Sequence, residues 1–236
     1  MRSYTIVALF LASIPIVRSA AIAPTTFNLI GDPILAEEMP ESLPRDIEDV
    51  TFTPEIEARA VPSDYNPTAL KHHNAHRANH SAKALTYDAK LASYAASLAS
   101  SCKFGHNRTA GGGGYGQNIA AYGSYGNVKA LSPSTMLAKA ITSMWYNSEY
   151  NAYLPSYYGK PTPDTSNFAA WGHLTQIVWA STTSVGCATQ YCEAGTIYKP
   201  VASWYTVCNY KTPGNVVGSF DKNVLKSLRK PTLKGP

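Results

Sequence analysis

Hydrophobic side chains recur at helical spacing between residues 88 and 101. Leu91, Tyr94, Ala95 and Leu98 fall at positions i, i+3, i+4 and i+7, which places all four on one face of an amphipathic helix. A stripe of this width is typical of a helix that packs against a core. The pattern therefore predicts a half-buried helix over residues 88–101.

Two further helices are predicted on either side of this one. The first is expected over residues 67–79, with Asp64 available as its N-terminal cap. The other begins at Ser132 and Pro133, because a capping side chain followed by proline is typical of a first helical turn. We expect it to extend to about Tyr150.

The last of these helices contains a break in its buried stripe. Adjacent apolar pairs repeat every four residues along it, and the next pair in the series is Ser148 and Glu149. A carboxylate therefore occupies a position where leucine is expected. Because positions that break a packing pattern are often functional, Glu149 is a candidate site residue.

The second half of the chain has the pattern of β-strands. Strands are predicted over residues 173–179, 184–188 and 202–210, with a short one over 117–121. Because helices come first and strands last, the sequence predicts an α+β fold in which helices cover an antiparallel sheet.

A loop of roughly twenty residues joins the last predicted helix to the strand at 173–179. It is rich in aromatic residues, among them Tyr150, Tyr153, Tyr157 and Tyr158. Loops of this length are usually functional or disordered. Rings with a polar tip suit a site that is apolar inside and hydrated at its mouth, and they equally suit packing of the loop onto the sheet.

Charge divides the chain into segments. The 236 residues have a net charge of +5, but residues 24–60 hold nine acidic and two basic side chains, and residues 61–236 hold six acidic and sixteen basic ones. A basic start, an apolar stretch and small residues are typical of a secretory signal peptide. We expect a signal peptide over 1–23, an acidic, disordered leader or pro-segment over 24–60, a folded domain over 61–222 and a basic tail beyond it, over 223–236.

A secreted chain is permitted to form disulfides. The four cysteines are Cys102, Cys187, Cys192 and Cys208. They suit two bonds, and the sequence alone leaves three connectivities open. Asn79 and Asn107 stand in Asn-X-Ser/Thr sequences and are candidate glycosylation acceptors.

The same features limit the partners. No apolar run reaches the ~18 residues that a membrane span needs, so an integral membrane protein is excluded. The basic surface suits anionic lipid or cell-wall polymers. A secreted chain without stacking motifs is a poor candidate for nucleic-acid binding.

Four polar residues stand at the ends of predicted elements. They are His106, Gln117, Glu149 and His173. Two imidazoles and a carboxylate are good ligands for zinc, although each residue taken singly also suits a structural hydrogen bond. His72, His76 and His80 have a metal-binding spacing on the first helix, but we expect this stripe to be exposed.

Four short motifs follow one another along the chain. They are His-Asn-Ala-His-Arg at 73–77, Gly-Gln-Asn-Ile at 116–119, Gly-His-Leu-Thr-Gln-Ile-Val-Trp at 172–179 and Tyr-Thr-Val-Cys-Asn-Tyr-Lys-Thr-Pro-Gly-Asn at 205–215. In this order they resemble the signatures of the CAP superfamily of cysteine-rich secretory proteins, antigen 5 and pathogenesis-related 1 proteins. The resemblance extends over about residues 65–220 and is greatest to secreted, fungal pathogenesis-related 1 proteins.

The resemblance implies an α-β-α sandwich with a central antiparallel sheet of three strands. It implies that His106, Gln117, Glu149 and His173 form the family's central cleft tetrad. Glutamate is common in the family where Gln117 stands here. Because an amide is a poorer metal ligand than a carboxylate, we expect weak cation binding and a single acid–base group, Glu149.

The resemblance also implies a disulfide pairing and a ligand. The pairing is Cys102–Cys192 and Cys187–Cys208. Fungal and yeast members bind and export sterols with an aromatic flap. We therefore expect an extracellular, non-enzymatic protein that binds a sterol or another small hydrophobic ligand and acts at a host or competitor interface as a virulence factor. The expected ligand-binding residues are Trp145, Tyr150, Tyr153, Tyr157 and Tyr158.

Two alternatives remain open. One is a metal-assisted hydrolase in which Glu149 is catalytic and His106, His173 and Glu149 hold zinc. The other is an interaction module whose docking surface is masked by the acidic leader.

Overall fold

The computed structural model describes residues 26–31, 33, 61–230 and 233–236. The strands are β1 (Thr26–Ile30), β2 (Thr86–Tyr87), β3 (Gly116–Ser124), β4 (Ser184–Cys192) and β5 (Ser203–Lys211). The α-helices are α1 (Tyr65–Asn79), α2 (Ala89–Ser100), α3 (Pro133–Ala138), α4 (Gly172–Val178) and α5 (Phe220–Asn223). A π-helix spans Lys139–Asn147, and short 3-10 turns span Ala110–Gly112, Val128–Ala130, Pro155–Tyr157 and Phe168–Ala170. The predicted signal peptide lies outside the described residues.

The five strands form one sheet in the order β1-β3-β5-β4-β2. The strands β3, β5 and β4 are antiparallel, with Gln117 opposite Asn209 and Cys187 opposite Cys208. The short β2 runs parallel to β4. The predicted α+β fold with a central antiparallel sheet is confirmed, and a strand on each side extends the three implied strands to five.

The outer strand β1 comes from the segment that was expected to be disordered. It pairs antiparallel with β3, from Thr26 opposite Ser124 to Ile30 opposite Ala120. The expectation of disorder therefore does not hold for these five residues, which pair with a neighbouring strand of the sheet. Most of the remaining leader lies outside the described residues.

The predicted strand over 173–179 is wrong, because residues Gly172–Val178 form helix α4. All seven residues of α4 are buried. When both faces of a short apolar segment are buried, its pattern does not distinguish a strand from a helix. The apparent alternation of His173, Thr175 and Ile177 was therefore uninformative.

The helix predicted from Ser132 changes its winding along its length. The Ser132 hydroxyl accepts a hydrogen bond from the Thr135 amide at 3.1 Å, so the predicted cap is confirmed. After Ala138 the backbone continues as the π-helix, which ends at Asn147. Glu149 follows in the next turn and is 4 % exposed, as the buried stripe predicts. Such π-helical insertions occur frequently at functional sites.

Helix α1 begins at Tyr65, two residues before its predicted start. The Asp64 side chain does not cap it and instead accepts a hydrogen bond from Ser134 at 2.8 Å. Helix α2 is capped by Asp88, whose carboxylate accepts hydrogen bonds from two amides of the first turn.

Two disulfides fasten the sheet. Cys102–Cys192 joins the segment after α2 to the end of β4, and Cys187–Cys208 joins neighbouring positions of β4 and β5. This is the pairing that the resemblance implies. Among the described residues, none of the helices combines the length and the apolar character needed to cross a membrane.

Arg77 is a fully buried cation on α1. Its guanidinium donates hydrogen bonds to the carbonyls of Lys83, Ile177, Trp179 and Thr182, at 2.7 to 2.9 Å. Burial lowers the pKa of Arg77 to about 10, so the side chain stays charged at neutral pH. The planar fork of donors ties α1 to the end of α4 and to the loop before β4.

We expect Arg77→Met to lower the free energy of unfolding by at least about 3 kcal/mol, because it leaves several buried carbonyls without a donor. Arg77→Lys should be nearly as destabilising, since an ammonium cannot reproduce the fork. Chemical denaturation measures both. Arg108→Met, at an exposed arginine, is the control. An equal loss of free energy of unfolding in this variant would contradict the stabilising role of the Arg77 hydrogen bonds.

Candidate functional site

Glu149 and His173 form a buried pair at the start of α4. His173 Nδ1 lies 2.7 Å from Glu149 Oε1, and the Leu174 amide donates to Glu149 Oε2 at 2.8 Å. The carboxylate accepts from the Nδ1–H, so a neutral His173 ring would carry its lone pair on Nε2. That atom is buried and has no hydrogen-bond partner within the described part of the chain. The Trp145 ring stacks on His173 with centroids 6.2 Å apart.

His106 and Gln117 form a second pair. His106 Nδ1 donates to Gln117 Oε1 at 2.9 Å. The Gln117 amide nitrogen donates to Asn209 Oδ1 at 2.9 Å and to the Asn107 carbonyl at 3.0 Å. The amide therefore acts as donor and acceptor at once, which an ionised glutamate cannot do. Gln117 holds the loop that carries His106 against the sheet.

The four tetrad residues thus occur as two hydrogen-bonded pairs. Across residues 26–31, 33, 61–230 and 233–236, no three His, Cys, Asp or Glu side chains stand close enough to hold a metal ion. His173, with Nδ1 on a carboxylate and Nε2 unpaired, has the outer-shell arrangement of a metal ligand. The described residues place no further donors that zinc requires beside it, so this arrangement does not fit a zinc site.

The predicted aromatic residues divide between the core and a cleft. Tyr150, Tyr153 and Tyr158 line a cleft of about 790 Å³. Trp145 does not reach this cleft, because it is fully buried and donates to the Ile119 carbonyl. Tyr157 is also buried, against Tyr153 and Trp171.

The cleft has a second wall that the sequence did not indicate as functional. Tyr146 comes from the π-helix, Asn79 from the end of α1, and Lys226, Arg229 and Lys230 from the C-terminal segment. The basic residues were expected to belong to a polar tail. No pattern in the sequence shows that a tail folds back onto a helix about 150 residues earlier, because this docking depends on tertiary contacts.

The sequence model of the cysteine-rich secretory protein family (CAP) matches residues 70–210. This range contains both pairs of the tetrad and most of the sheet. The chain belongs to the CAP family. It is a CAP-domain protein of the pathogenesis-related 1 and venom allergen type.

Relatives of the CAP protein include several from fungi. A "Probable pathogenesis-related protein" of Arthroderma benhamiae is 44% identical over 171 residues, which are 72% of this chain and 52% of the relative. "Fruiting body protein SC7" of Schizophyllum commune is 36% identical over 152 residues, which are 62% of this chain and 64% of the relative. The chain therefore spans about half to two thirds of the length of these relatives.

Solved structures show the same fold. "Crystal structure of NaASP2 with Zn2+" has a TM-score of 0.54 at 20% identity and covers 72% of this chain and 89% of its own. "Crystal Structure of Na-ASP-1" has a TM-score of 0.51 at 23% identity and covers 68% and 43%. At this identity the likeness establishes the architecture alone.

The histidines of α1 are buried in the CAP domain, so the expectation of an exposed stripe is wrong. His76 and His80 are fully buried and His72 is 9 % exposed. The Thr142 hydroxyl lies 2.7 Å from His72 Nδ1 and 2.8 Å from His76 Nε2. His76 stacks on Tyr146 with centroids 3.8 Å apart. The stripe is buried because the π-helix packs along it.

The polar residues of the motif at 73–77 have structural contacts. His73 Nδ1 donates to the Ala69 carbonyl at 2.8 Å and Nε2 accepts from the Tyr210 hydroxyl at 2.9 Å. Asn74 exchanges hydrogen bonds with the backbone of Leu85. Burial lowers the pKa of His73 and of His76 to about 3, so both rings are neutral at neutral pH.

The two candidate glycosylation acceptors differ in access. Asn79 is 3 % exposed, its amide nitrogen donates to Tyr146, and its oxygen accepts from the Lys230 amide. A glycan on Asn79 has no room in this fold. Asn107 is exposed, and its glycosylation stays a prediction.

The buried histidines predict loss of stability in acid. Above pH 7 they are neutral in both states, but below the unfolded value of 6.5 the unfolded chain binds protons that folded His73 and His76 do not bind. The free energy of unfolding should fall by up to about 1.4 kcal/mol per pH unit for each ring as pH drops towards 3.

Urea denaturation between pH 7 and pH 5 measures this slope before most carboxylates titrate. His76→Gln should make the slope shallower by about one proton, because the variant retains a polar side chain and lacks the titrating group. A slope unchanged by this substitution would contradict the conclusion that folded His76 stays neutral in this pH range.

Proposed function

We propose that this CAP protein binds sterols or related small hydrophobic ligands after secretion. The observation that carries the proposal is the cleft of about 790 Å³ beside Tyr150, Tyr153 and Tyr158. Its volume falls within the roughly 300–1,000 Å³ range of small-molecule sites. Tyrosine rings offer apolar faces for a flat ring system and hydroxyl groups for its polar end.

The cleft supports this function better than the tetrad does. Glu149, His173 and Gln117 are each under 5 % exposed, and their side chains are engaged in the contacts described above. A ligand entering there must displace a hydrogen-bonded pair from the core. The aromatic cleft requires no such rearrangement.

Secretion is part of the proposal. The residue pattern over 1–23 is that of a signal peptide. Both disulfides are typical of proteins from oxidising compartments, and the chain has no free cysteine among its four. A role at a host or competitor interface is the biological setting that we infer from the resemblance to pathogenesis-related 1 proteins.

We expect saturable binding of ergosterol or cholesterol to the full chain. Tyr150→Ala and Tyr158→Ala should each weaken it about tenfold, because each removes an aromatic wall that contributes on the order of 1.5 kcal/mol. Radiolabelled sterol binding measures the loss. Tyr125→Ala, at a tyrosine that is 61% exposed and outside the cleft, should bind like the wild type.

Thermal unfolding of each variant separates a lost contact from a lost fold. Wild-type affinity in both cleft variants would remove the cleft from the proposal, whereas no binding by the wild type would remove sterol binding itself.

The alternative of a metal-assisted hydrolase has one observation in its favour, the unpaired Nε2 of buried His173. Because the described residues offer no neighbouring donors, we expect zinc to leave the melting temperature of the full chain unchanged. Calorimetric zinc titration of the wild type and of His173→Ala tests this. Saturable zinc binding that His173→Ala abolishes would restore the alternative.

A further inference from the structure

The cleft is bordered by a segment that we call the C-terminal strap, residues 224–230. Four hydrogen bonds hold the strap to α1 and to the tyrosine-rich loop. They join His80 Nδ1 to the Leu225 carbonyl (2.7 Å), the Leu228 amide to the Asn79 carbonyl (2.7 Å), the Lys230 amide to Asn79 Oδ1 (2.9 Å) and the Tyr150 hydroxyl to Ser227 (2.7 Å). Through these bonds the strap forms a fixed wall of the cleft.

The strap brings three positive charges to one side of the cleft. Lys226, Arg229 and Lys230 all line it, and all three side chains are exposed. In the part of the chain that the structure describes, none of them is in an ion pair, and no Asp or Glu lines the cleft. Among the described residues, no acidic side chain therefore compensates the positive charge at this side.

Tyr153 lines the cleft and carries a buried hydrogen-bond donor that no described residue uses. Tyr153 is 2 % exposed, and its hydroxyl has no partner among the described residues. Its ring is held edge-on by Tyr158 and Trp171, with centroids 4.9 and 5.2 Å away. Burial raises the pKa of Tyr153, so the hydroxyl remains protonated. A buried polar group without a partner is costly, and a ligand oxygen would relieve that cost.

We propose that the ligand of this cleft is an amphipathic anion with a flat apolar body, whose sulfate or carboxylate group lies against the strap cations and whose body lies against the tyrosine rings. This inference rests on the proposed function and specifies its ligand class. The cations supply charge-assisted hydrogen bonds, which are shorter and stronger than neutral ones. Because the Tyr153 hydroxyl is buried in the structure, its donation to an oxygen of the ligand body requires the rings packed around it to part.

The arrangement favours such a ligand over a purely neutral one. A neutral sterol would fill the aromatic part and leave three like charges beside it with no counter-charge from the described residues. Like charges within a few residues repel one another, and an anionic group placed among them offsets that repulsion. A free inorganic anion would satisfy the cations but leave the cleft side of the rings in water and the buried Tyr153 hydroxyl without a partner among the described residues.

Pregnenolone sulfate and pregnenolone are a matched pair of probes, because they share the ring body and differ in the charged group. With the full chain, calorimetry should show that the sulfate binds about tenfold tighter, the gain expected of charge-assisted contacts. Raising the salt from about 0.1 to 1 M should reduce this preference. Inorganic sulfate alone should bind far more weakly than either steroid.

The triple variant Lys226→Gln, Arg229→Gln, Lys230→Gln should remove most of the preference and leave pregnenolone binding unchanged. The control variant Lys90→Gln, Lys103→Gln, Lys199→Gln removes the same charge at exposed positions outside the cleft and should retain the preference. Backbone amides that hold the strap are preserved in both variants.

Tyr153→Phe should weaken both steroids about fivefold without lowering the melting temperature, because the deleted hydroxyl has no partner among the described residues. Tyr157→Phe, at a buried tyrosine outside the cleft, should leave the affinity for both steroids unchanged.

Equal affinity for the two steroids, or an equal loss of preference in both charge variants, would overturn the ligand class and leave the proposed function in place. Failure of both steroids and of sterols to bind would overturn the proposed function as well. Binding of inorganic sulfate as tight as that of the steroid sulfate would overturn the role of the ring body.

Discussion

Helix α4 has seven residues and is held at both ends by charged side chains from other elements. At its start, Glu149 accepts a hydrogen bond from the Leu174 amide and contacts His173. At its end, Arg77 donates to the carbonyls of Ile177 and Trp179. An anion at the start and a cation at the end both complement the helix dipole. Because an isolated helix of this length is unstable in water, α4 depends on these contacts.

This constraint explains why the residues of the family motifs are largely occupied in holding the fold. The carboxylate of Glu149 is bonded through both oxygens, and Gln117 uses its amide in both directions. His73 and Arg77 join α1 to the sheet and to α4. Side chains used in this way are poorly placed to bind a ligand. The cleft beside the tyrosine-rich loop is therefore a better candidate for a ligand site than the tetrad.

The features that could be predicted from the sequence are those that depend on residues close to one another along the chain. Ser132 caps its helix because a hydroxyl before proline acts locally, and the break at Glu149 followed from the periodicity of one helix. The segment 173–179 was assigned to the wrong element because burial on all sides removes the pattern that distinguishes helix from strand. The burial of His76 and His80 was missed because only the packing of the π-helix produces it.

The resemblance to the CAP family predicted the disulfide pairing and the tetrad. The cleft could not be predicted from the sequence, because it depends on tertiary contacts. The sequence identifies Tyr150, Tyr153 and Tyr158 as aromatic residues of one loop. It does not show that these three line the cleft while Trp145 and Tyr157 are buried outside it. The opposite wall comes from residues that are distant along the chain. No local signal relates the two walls.

The C-terminal strap lies outside the range that the family model matches but is anchored within that range. Residues 224–230 lie beyond the range 70–210 that the family model matches, yet they are held by Asn79 and His80 at the end of α1, inside that range. Because burial keeps the histidines of this helix neutral at pH 7, the charge beside the cleft comes from the strap. The range that the family model matches contains the rings and the anchoring groups, whereas the strap, outside that range, carries the positive side chains that line the cleft.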